Sequence, residues 1–283
     1  MTPHSLAVIA DLLKQRSGLV LGAEKNYLLE SRLTPLMRKN QMASLDDLVV
    51  ALKKDPKGTL ANEVVEAMTT NESLFFRDGR PFEQLKKTLL PSLATTRAAN
   101  RTLRIWSAAC SHGQEPFSIA MTIKEMGPAF AGWRVEILAT DIAQEVLARA
   151  KSGLFTQFEV QRGLPVQLLV KYFAKSGTRW QVDAAVRAMV TFKEFNLLED
   201  PRTLGPFDLI FCRNVLIYFD AATKRKVLDG LAQRLAPDGA LILGGAETVL
   251  GVTEAFVPIV GERGLYQRTD AAKARPKSIA AAG

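Results

Sequence analysis

The stretch Phe207-Asp-Leu-Ile-Phe-Cys-Arg-Asn-Val-Leu-Ile-Tyr-Phe-Asp220 joins a buried-strand signal to groups that can hold a ligand. Leu209, Ile210 and Phe211 form an apolar run behind the breaker Pro206. Cys212, Arg213, Asn214 and Tyr218 follow where a strand must run out. In open α/β sheets ligands sit at the carboxyl ends of the strands, so polar groups delivered there face a ligand. The turn Ala108-Ala-Cys-Ser-His-Gly-Gln-Glu-Pro116 has small residues that let a ligand approach the backbone. Gly113 is its one glycine, so it is not a GxGxxG fingerprint and gives little support to a phosphate cradle. Glu115 reads as a ligand-facing acid or as one that complements a helix dipole. Asp141 reads as an acid for sugar hydroxyls, as the cap of the next helix, or as both. Thr69-Thr-Asn-Glu-Ser-Leu-Phe-Phe-Arg77 spaces Asn71, Ser73 and Arg77 around an aromatic pair and can line a cleft. His4 and His112 stand alone, and with Cys110 and Cys212 they make no zinc pattern, so no metal is expected.

These residues need elements to position them. From about residue 100 the pattern alternates. Strand signals fall at 103–109, 135–140, 190–195, 207–211 and 240–243, and helix signals at 116–126, 143–151 and 223–235. Alternation of this kind predicts an α/β fold with a doubly wound, mostly parallel sheet. Residues 256–260 and 265–268 read as a closing hairpin around 261–264. Residues 152–190, with Gly153, Gly163, Pro165 and Gly177, break the alternation and read as an inserted subdomain, part helical and part hairpin. Residues 1–70 read as all-helical. Their helices lie at 5–14 before the stop signal Gly18, at 24–39, at 44–52 behind the N-cap Ser44, and from 62 to 68. The division is therefore an all-α domain at 1–70, a linker lining the cleft at 71–90, an α/β domain at 91–270 and a disordered tail at 271–283.

The chain has 283 residues, 47% hydrophobic and 23% charged, which suits a soluble globular protein with an ample core. No apolar run approaches the roughly 20 residues of a membrane span, and the start lacks a signal-peptide pattern. Two cysteines make no disulfide framework, so reduced thiols and a cytoplasmic location are expected. The net charge of +8 favours acidic partners without choosing among nucleic acid, anionic membrane and protein.

Taken in order, Thr69–Arg77, Trp106-Ser-Ala-Ala-Cys-Ser-His-Gly-Gln-Glu-Pro-Phe-Ser118, Ala139-Thr-Asp-Ile142, Asn196-Leu-Leu-Glu199 and the 207–220 stretch resemble the motifs of the CheR family, the chemotaxis receptor glutamate methyltransferases. The resemblance runs from the first helix to about residue 268. It implies a Rossmann-like domain that binds S-adenosylmethionine at the carboxyl end of its sheet and yields S-adenosylhomocysteine, without a metal. Asn71, Ser73 and Arg77 would touch the donor from the linker. Glu115 and Asp141 would serve its cationic and ribose ends. Asn196, Leu197, Arg213 and Asn214 would enclose its adenine side. Arg77 and Tyr218 would place the acceptor carboxylate beside the methyl group. The chain departs from the family where His112-Gly-Gln-Glu-Pro116 replaces the usual Thr-Gly-Glu-Glu-Pro, which leaves Glu115 as the one acid of that turn.

The implied partners are the helical, acid-rich cytoplasmic regions of chemoreceptors. Lys25, Arg32 and Lys39 recur every seven residues, share a face of a continuous helix, and are expected to dock there unless they are merely a solvated charged face. Lys175-Ser-Gly-Thr-Arg-Trp180 is shorter than the hairpin loop of family members that grip a receptor's tail pentapeptide, so a tail-independent enzyme is expected. A monomer is expected as well. A nucleic-acid or small-molecule methyltransferase on the same fold is disfavoured, because Cys212-Arg-Asn-Val215 replaces the proline-rich motif of base methylation. A non-enzymatic donor-binding scaffold is disfavoured by Arg77, Glu115, Asp141 and Tyr218.

Overall fold

A computed structural model describes residues 2–22 and 26–274. Four helices come first: α1 (Pro3–Ser17), α2 (Asn26–Lys39), α3 (Leu45–Lys54) and α4 (Thr59–Met68). Their ends follow local chemistry. The Thr2 hydroxyl accepts from the Ser5 N–H at the start of α1, and Gly18 closes it in the left-handed region at φ 77°. Ser44 and Asp47 form a capping box on α3. Ile9, Leu13, Leu29, Leu33 and Leu48 are fully buried where these helices meet.

A second helical run connects this domain to the sheet: α5 (Arg80–Gln84), a π-helical turn (Leu85–Leu89) and α6 (Leu90–Thr96). The linker expected at 71–90 is thus irregular only to Gly79, and its second half is helix. Pro91 explains both the π turn and the missed helix. Proline has no N–H to continue the ladder, and the Leu90 N–H bonds back to the Leu85 carbonyl instead, five residues away. Phe82, Leu85, Leu90 and Leu93 pack this run into the core on one face of the sheet.

The α/β part then runs β1 (Thr102–Ala108), α7 (Gln114–Glu125), β2 (Arg134–Asp141), α8 (Gln144–Ser152), β3 (Leu154–Thr156), α9 (Gln157–Gln161), α10 (Val166–Tyr172), β4 (Phe173–Ser176), β5 (Arg179–Val182), α11 (Ala184–Arg187), β6 (Val190–Glu194), β7 (Phe207–Cys212), α12 (Ala221–Ala232), β8 (Leu235–Leu243), β9 (Phe256–Pro258), β10 (Leu265–Arg268) and α13 (Thr269–Ala274). The main sheet has the order β6-β2-β1-β7-β8-β10-β9. Its first five strands are parallel, and β10 and β9 close it antiparallel as the expected hairpin. Period-two alternation sends Leu103, Ile105, Leu209 and Phe211 to one core and Trp106, Ile210 and Cys212 to the other. The insertion forms a separate three-stranded antiparallel sheet in the order β3-β5-β4. Residues 271–274, expected in the tail, complete α13 instead, and 275–283 lie outside the described residues. No helix of the described residues is long and apolar enough to cross a membrane.

Candidate functional site

β1 has β2 and β6 on one side and β7 and β8 on the other, so the connections diverge beyond its carboxyl end. That divergence opens a crevice in a parallel sheet, and a cavity lies there. Of the expected residues, it is lined by Asn71, Ser73, Arg77, Glu115, Asp141, Asn196, Leu197, Arg213, Asn214 and Tyr218. Ser17 and Leu19, from the end of α1, line it too. Both domains therefore wall one cavity.

The turn after β1 is shaped by backbone that side chains rarely adopt: Ala109 at φ 58°, Ser111 at φ 51° and Gly113 at φ 93°. A Cβ on Gly113 would lie 3.1 Å from the Ala150 Cβ and 3.2 Å from the Phe117 ring, so a side chain there would be both strained and crowded. Ser111 clips three segments together. Its N–H donates to Asp141 Oδ2 at 2.8 Å, and its hydroxyl donates to the Asn71 carbonyl at 2.6 Å. His112 Nδ1 lies 3.1 Å from the same hydroxyl; burial, aided by Arg149, depresses the imidazole pKa. Asp141 Oδ1 accepts the Ala143 N–H at 3.1 Å. Burial raises the Asp141 pKa above the ordinary aspartate value, against the pull of its backbone donors. Asp141 does not cap α8 itself: the N-cap position is Ala143, and Glu66 of α4 accepts the Gln144 N–H.

Glu115, at the start of α7, is buried rather than a surface acid. It accepts the Ser107 hydroxyl at 2.8 Å and Arg213 Nη1 at 2.9 Å. Arg213 Nη2 reaches Asp78 at 2.7 Å and the Arg77 carbonyl at 2.8 Å. The Arg213 guanidinium thus sits with Glu115, Asp78 and the Arg77 backbone. Arg213 Nε is buried without a protein partner. The Asn196 amide is also committed: it donates to the Arg16 carbonyl at 2.6 Å and accepts the Leu198 N–H at 3.0 Å, fastening the end of α1 to the loop after β6. Arg77 Nη1 donates to the Glu72 carbonyl at 3.0 Å, and the backbone of Tyr218 accepts the Val20 N–H at 2.9 Å.

Two of the residues expected to form a basic docking face have partners within the helical domain. Arg32 Nη1 donates to the Met68 and Thr69 carbonyls at 2.8 and 3.0 Å, neutralising the carboxyl end of α4. Lys39 pairs with Glu63 at 2.6 Å. The sevenfold spacing does place them on one face, but that face is turned towards α4. Lys25 lies outside the described residues. Residues that the sequence reading missed include Ser111, Asp78 and Glu247. Glu247 accepts backbone N–H groups of the 214–217 loop, and its signal was an acid shortly after Gly244-Gly245 at the carboxyl end of β8. Cys110 and Cys212 are buried, which raises both thiol pKa values well above the ordinary range and keeps the thiols inert. No group of three or more potential metal ligands occurs among the described residues.

Two family models match the chain in succession. Residues 4–69 match the family model described as CheR methyltransferase, all-alpha domain, and residues 71–264 match CheR methyltransferase, SAM binding domain. Chemotaxis protein methyltransferase Cher2 of Pseudomonas putida is 42% identical over 248 residues, covering 86% of this chain and 90% of that protein. Chemotaxis protein methyltransferase 1 of Pseudomonas aeruginosa is 43% identical over 262 residues, covering 90% and 94%. Among solved structures, PKMT2 from Rickettsia typhi in complex with AdoHcy is similar at a TM-score of 0.38 and 16% identity, over 62% of this chain and 26% of that one. A likeness that slight adds nothing to the fold already described.

Proposed function

The chain belongs to the CheR methyltransferase family, and from that membership we propose that it methylates glutamate side chains of chemotaxis receptors to methyl esters, with S-adenosylmethionine as donor and S-adenosylhomocysteine as product. S-adenosylmethionine-dependent methylation in chemotaxis is the coarser function that the family carries. One observation carries the finer reading: a single cavity at the sheet's switch point gathers Arg77 and Tyr218 beside two buried carboxylates, Glu115 and Asp141.

The residues fit a cationic nucleoside donor. Glu115 and Asp141 offer buried anionic oxygens, and Arg213 Nε is a buried donor still without a partner. When bound, the donor supplies a methyl group on a positively charged sulfur. Glu115 answers that charge, and Asp141 accepts from sugar hydroxyls. Asn71 and Ser73 close over the donor from the linker, and Leu197, Asn196 and Asn214 flank the adenine. Arg213 holds Glu115 and the Arg77 backbone in place. A solvated glutamate has a pKa of about 4.3 and is already the anionic nucleophile at neutral pH, so no general base is required. Charge is neutralised as the methyl moves, so strong solvation of the reactants would slow transfer. The protein's tasks are alignment and exclusion of water. Arg77 orients the acceptor carboxylate, and Tyr218 packs beside the methyl path.

The β4–β5 turn is a two-residue connection, Gly177-Thr178, which supports recognition of receptor helices without a tail tether. We place the enzyme in the cytoplasm, as a monomer acting on protein rather than nucleic acid. The deciding experiment incubates the chain with methyl-labelled donor and receptor-bearing membranes, with RNA in parallel. A base-labile label on a receptor-sized band is expected. Label on RNA, or a base-stable label on protein, would overturn the reading.

A further inference from the structure

The cavity wall contributed by β7 has an anchor outside the cavity. Beyond Cys212 the chain leaves the sheet, and Asn214 takes the left-handed region at φ 58°. The N–H groups of Asn214, Val215 and Leu216 then converge on one carboxylate, that of Glu247. The distances are 2.8 Å to Oε2 for Asn214, and 2.9 and 2.8 Å to Oε1 for Val215 and Leu216. The Ile217 N–H is a weaker fourth contact at 3.4 Å, and the Gly244 N–H reaches Oε2 at 2.8 Å. Glu247 is buried to 9% exposure. Successive N–H groups pointing inward form a nest that selects an anion, and here the anion is a side chain of the same chain. Gly244 makes the arrangement possible. A Cβ there would lie 2.7 Å from Glu247 Oε2 and 3.0 Å from the Asn214 nitrogen.

The segment so held carries Asn214, which flanks the adenine in the reading above, and Tyr218, which flanks the methyl path. We propose that Glu247 is a positioning residue for the methyl-transfer site: its carboxylate fills the nest of the 214–217 loop and thereby sets the distance between the nucleotide wall and the acceptor wall. Glu247 itself lines no part of the cavity, so it acts through the loop. A neutral glutamine keeps one acceptor oxygen but turns an amide N–H₂ toward the Asn214 and Gly244 N–H groups, where donor meets donor. Alanine empties the nest and leaves room for a small free carboxylate. The role in transfer rests on the function proposed above; the shape of the loop does not.

The test uses the full chain with Glu247→Gln and Glu247→Ala, well below their melting temperatures. Amide hydrogen exchange across 213–218, measured without donor, is expected to quicken by at least about tenfold in Glu247→Gln. Donor affinity is expected to fall at least about tenfold, with kcat falling further still, since both walls move. Formate is expected to restore donor binding to Glu247→Ala and to leave the unsubstituted chain unchanged. Unaltered loop exchange in Glu247→Gln overturns the proposal. So does quickened exchange with donor affinity and kcat both unchanged. If Glu247→Ala does not fold, the glutamine variant decides by the same exchange and titration. Failure of the unsubstituted chain to bind donor would strike the proposed function instead, with the exchange result still standing.

Discussion

Arg77 holds a half-buried position at the cavity, with its carbonyl tied to Arg213 and one guanidinium nitrogen tied to Glu72. Its remaining donors are available to a carboxylate. Arg77→Ala is expected to lower turnover by about 10- to 100-fold, the cost of losing alignment, with donor affinity by calorimetry changed far less. Loss of donor binding with no separate effect on turnover would move Arg77 from the acceptor to the donor. Asp141 gives a pH-dependent expectation. Its raised pKa means that it loses its charge at a higher pH than a solvated aspartate, whose value is about 3.9. Donor affinity is therefore expected to decline on acidification from above that value, and Asp141→Asn should show low affinity with no such limb. Folding stability runs the other way. A carboxyl with a raised folded pKa contributes most below its unfolded value, and that contribution is lost as the pH rises through the folded one. Titrating donor against pH, rather than turnover, keeps the acceptor glutamate's own ionisation out of the curve.

Arg97 shows how single elements are fixed to one another. At the end of α6, it reaches Asp208 of β7 at 2.8 Å and Asp238 of β8 at 2.6 Å, and Asp208 also accepts the Arg104 N–H of β1 at 2.8 Å. The hydrogen-bonded Asp238, together with Asp208, raises the Arg97 pKa, and Arg97 in turn depresses that of Asp238. Arg97→Ala leaves Asp208 under-satisfied and is expected to cost about 1–3 kcal/mol in urea unfolding at unchanged m-value. An unchanged midpoint would show that Asp208 is satisfied by the β1 backbone alone. Strands were legible in the sequence because parallel strands buried on both faces read as near-continuous apolar runs, as Leu209-Ile-Phe211 does. The helix at 80–96 was not, because Gly79, Pro81 and Pro91 punctuate it as a loop would be punctuated. Most cavity residues could be named from motifs, yet the partners of Arg213 could not: Glu115 and Asp78 reach it from α7 and the linker, far apart in the chain. The neighbours of the docking stripe were hidden for a related reason. Periodicity groups Arg32 with Lys39 but is silent on which neighbour that face meets.

Across the whole molecule, the two domains share the cavity. Ser17 and Leu19 line it from the α-helical domain, Leu19 bridges to Phe219, and Lys14 pairs with Asp220 at 2.8 Å. Donor should therefore stabilise both domains together. At about 100 times its Kd it adds roughly 2.7 kcal/mol, and the expected thermogram is a single transition moving upward. A lower transition that ignores donor would show the helical domain melting on its own. Asn196 was legible as part of a motif, whereas Glu66 carried no signal of its own. What the Glu66 and Asn196 side chains fasten becomes visible only when the domains are set together.

Gly18 makes that union hard to dismantle. A Cβ at this position would lie 3.0–3.1 Å from Thr223, Leu198 and Phe219, so the end of α1 is fitted against the α/β domain at atomic contact. A chimera that grafts another relative's first 70 residues onto this sheet would replace Ser17, Gly18 and Leu19 while keeping the surfaces cut to receive them. The portable module is therefore not the folded domain. It is the seam, with 16–21, 66–77, 196–198 and 218–223 inherited as one cassette, and hybrids spliced inside it should be recovered folded but empty.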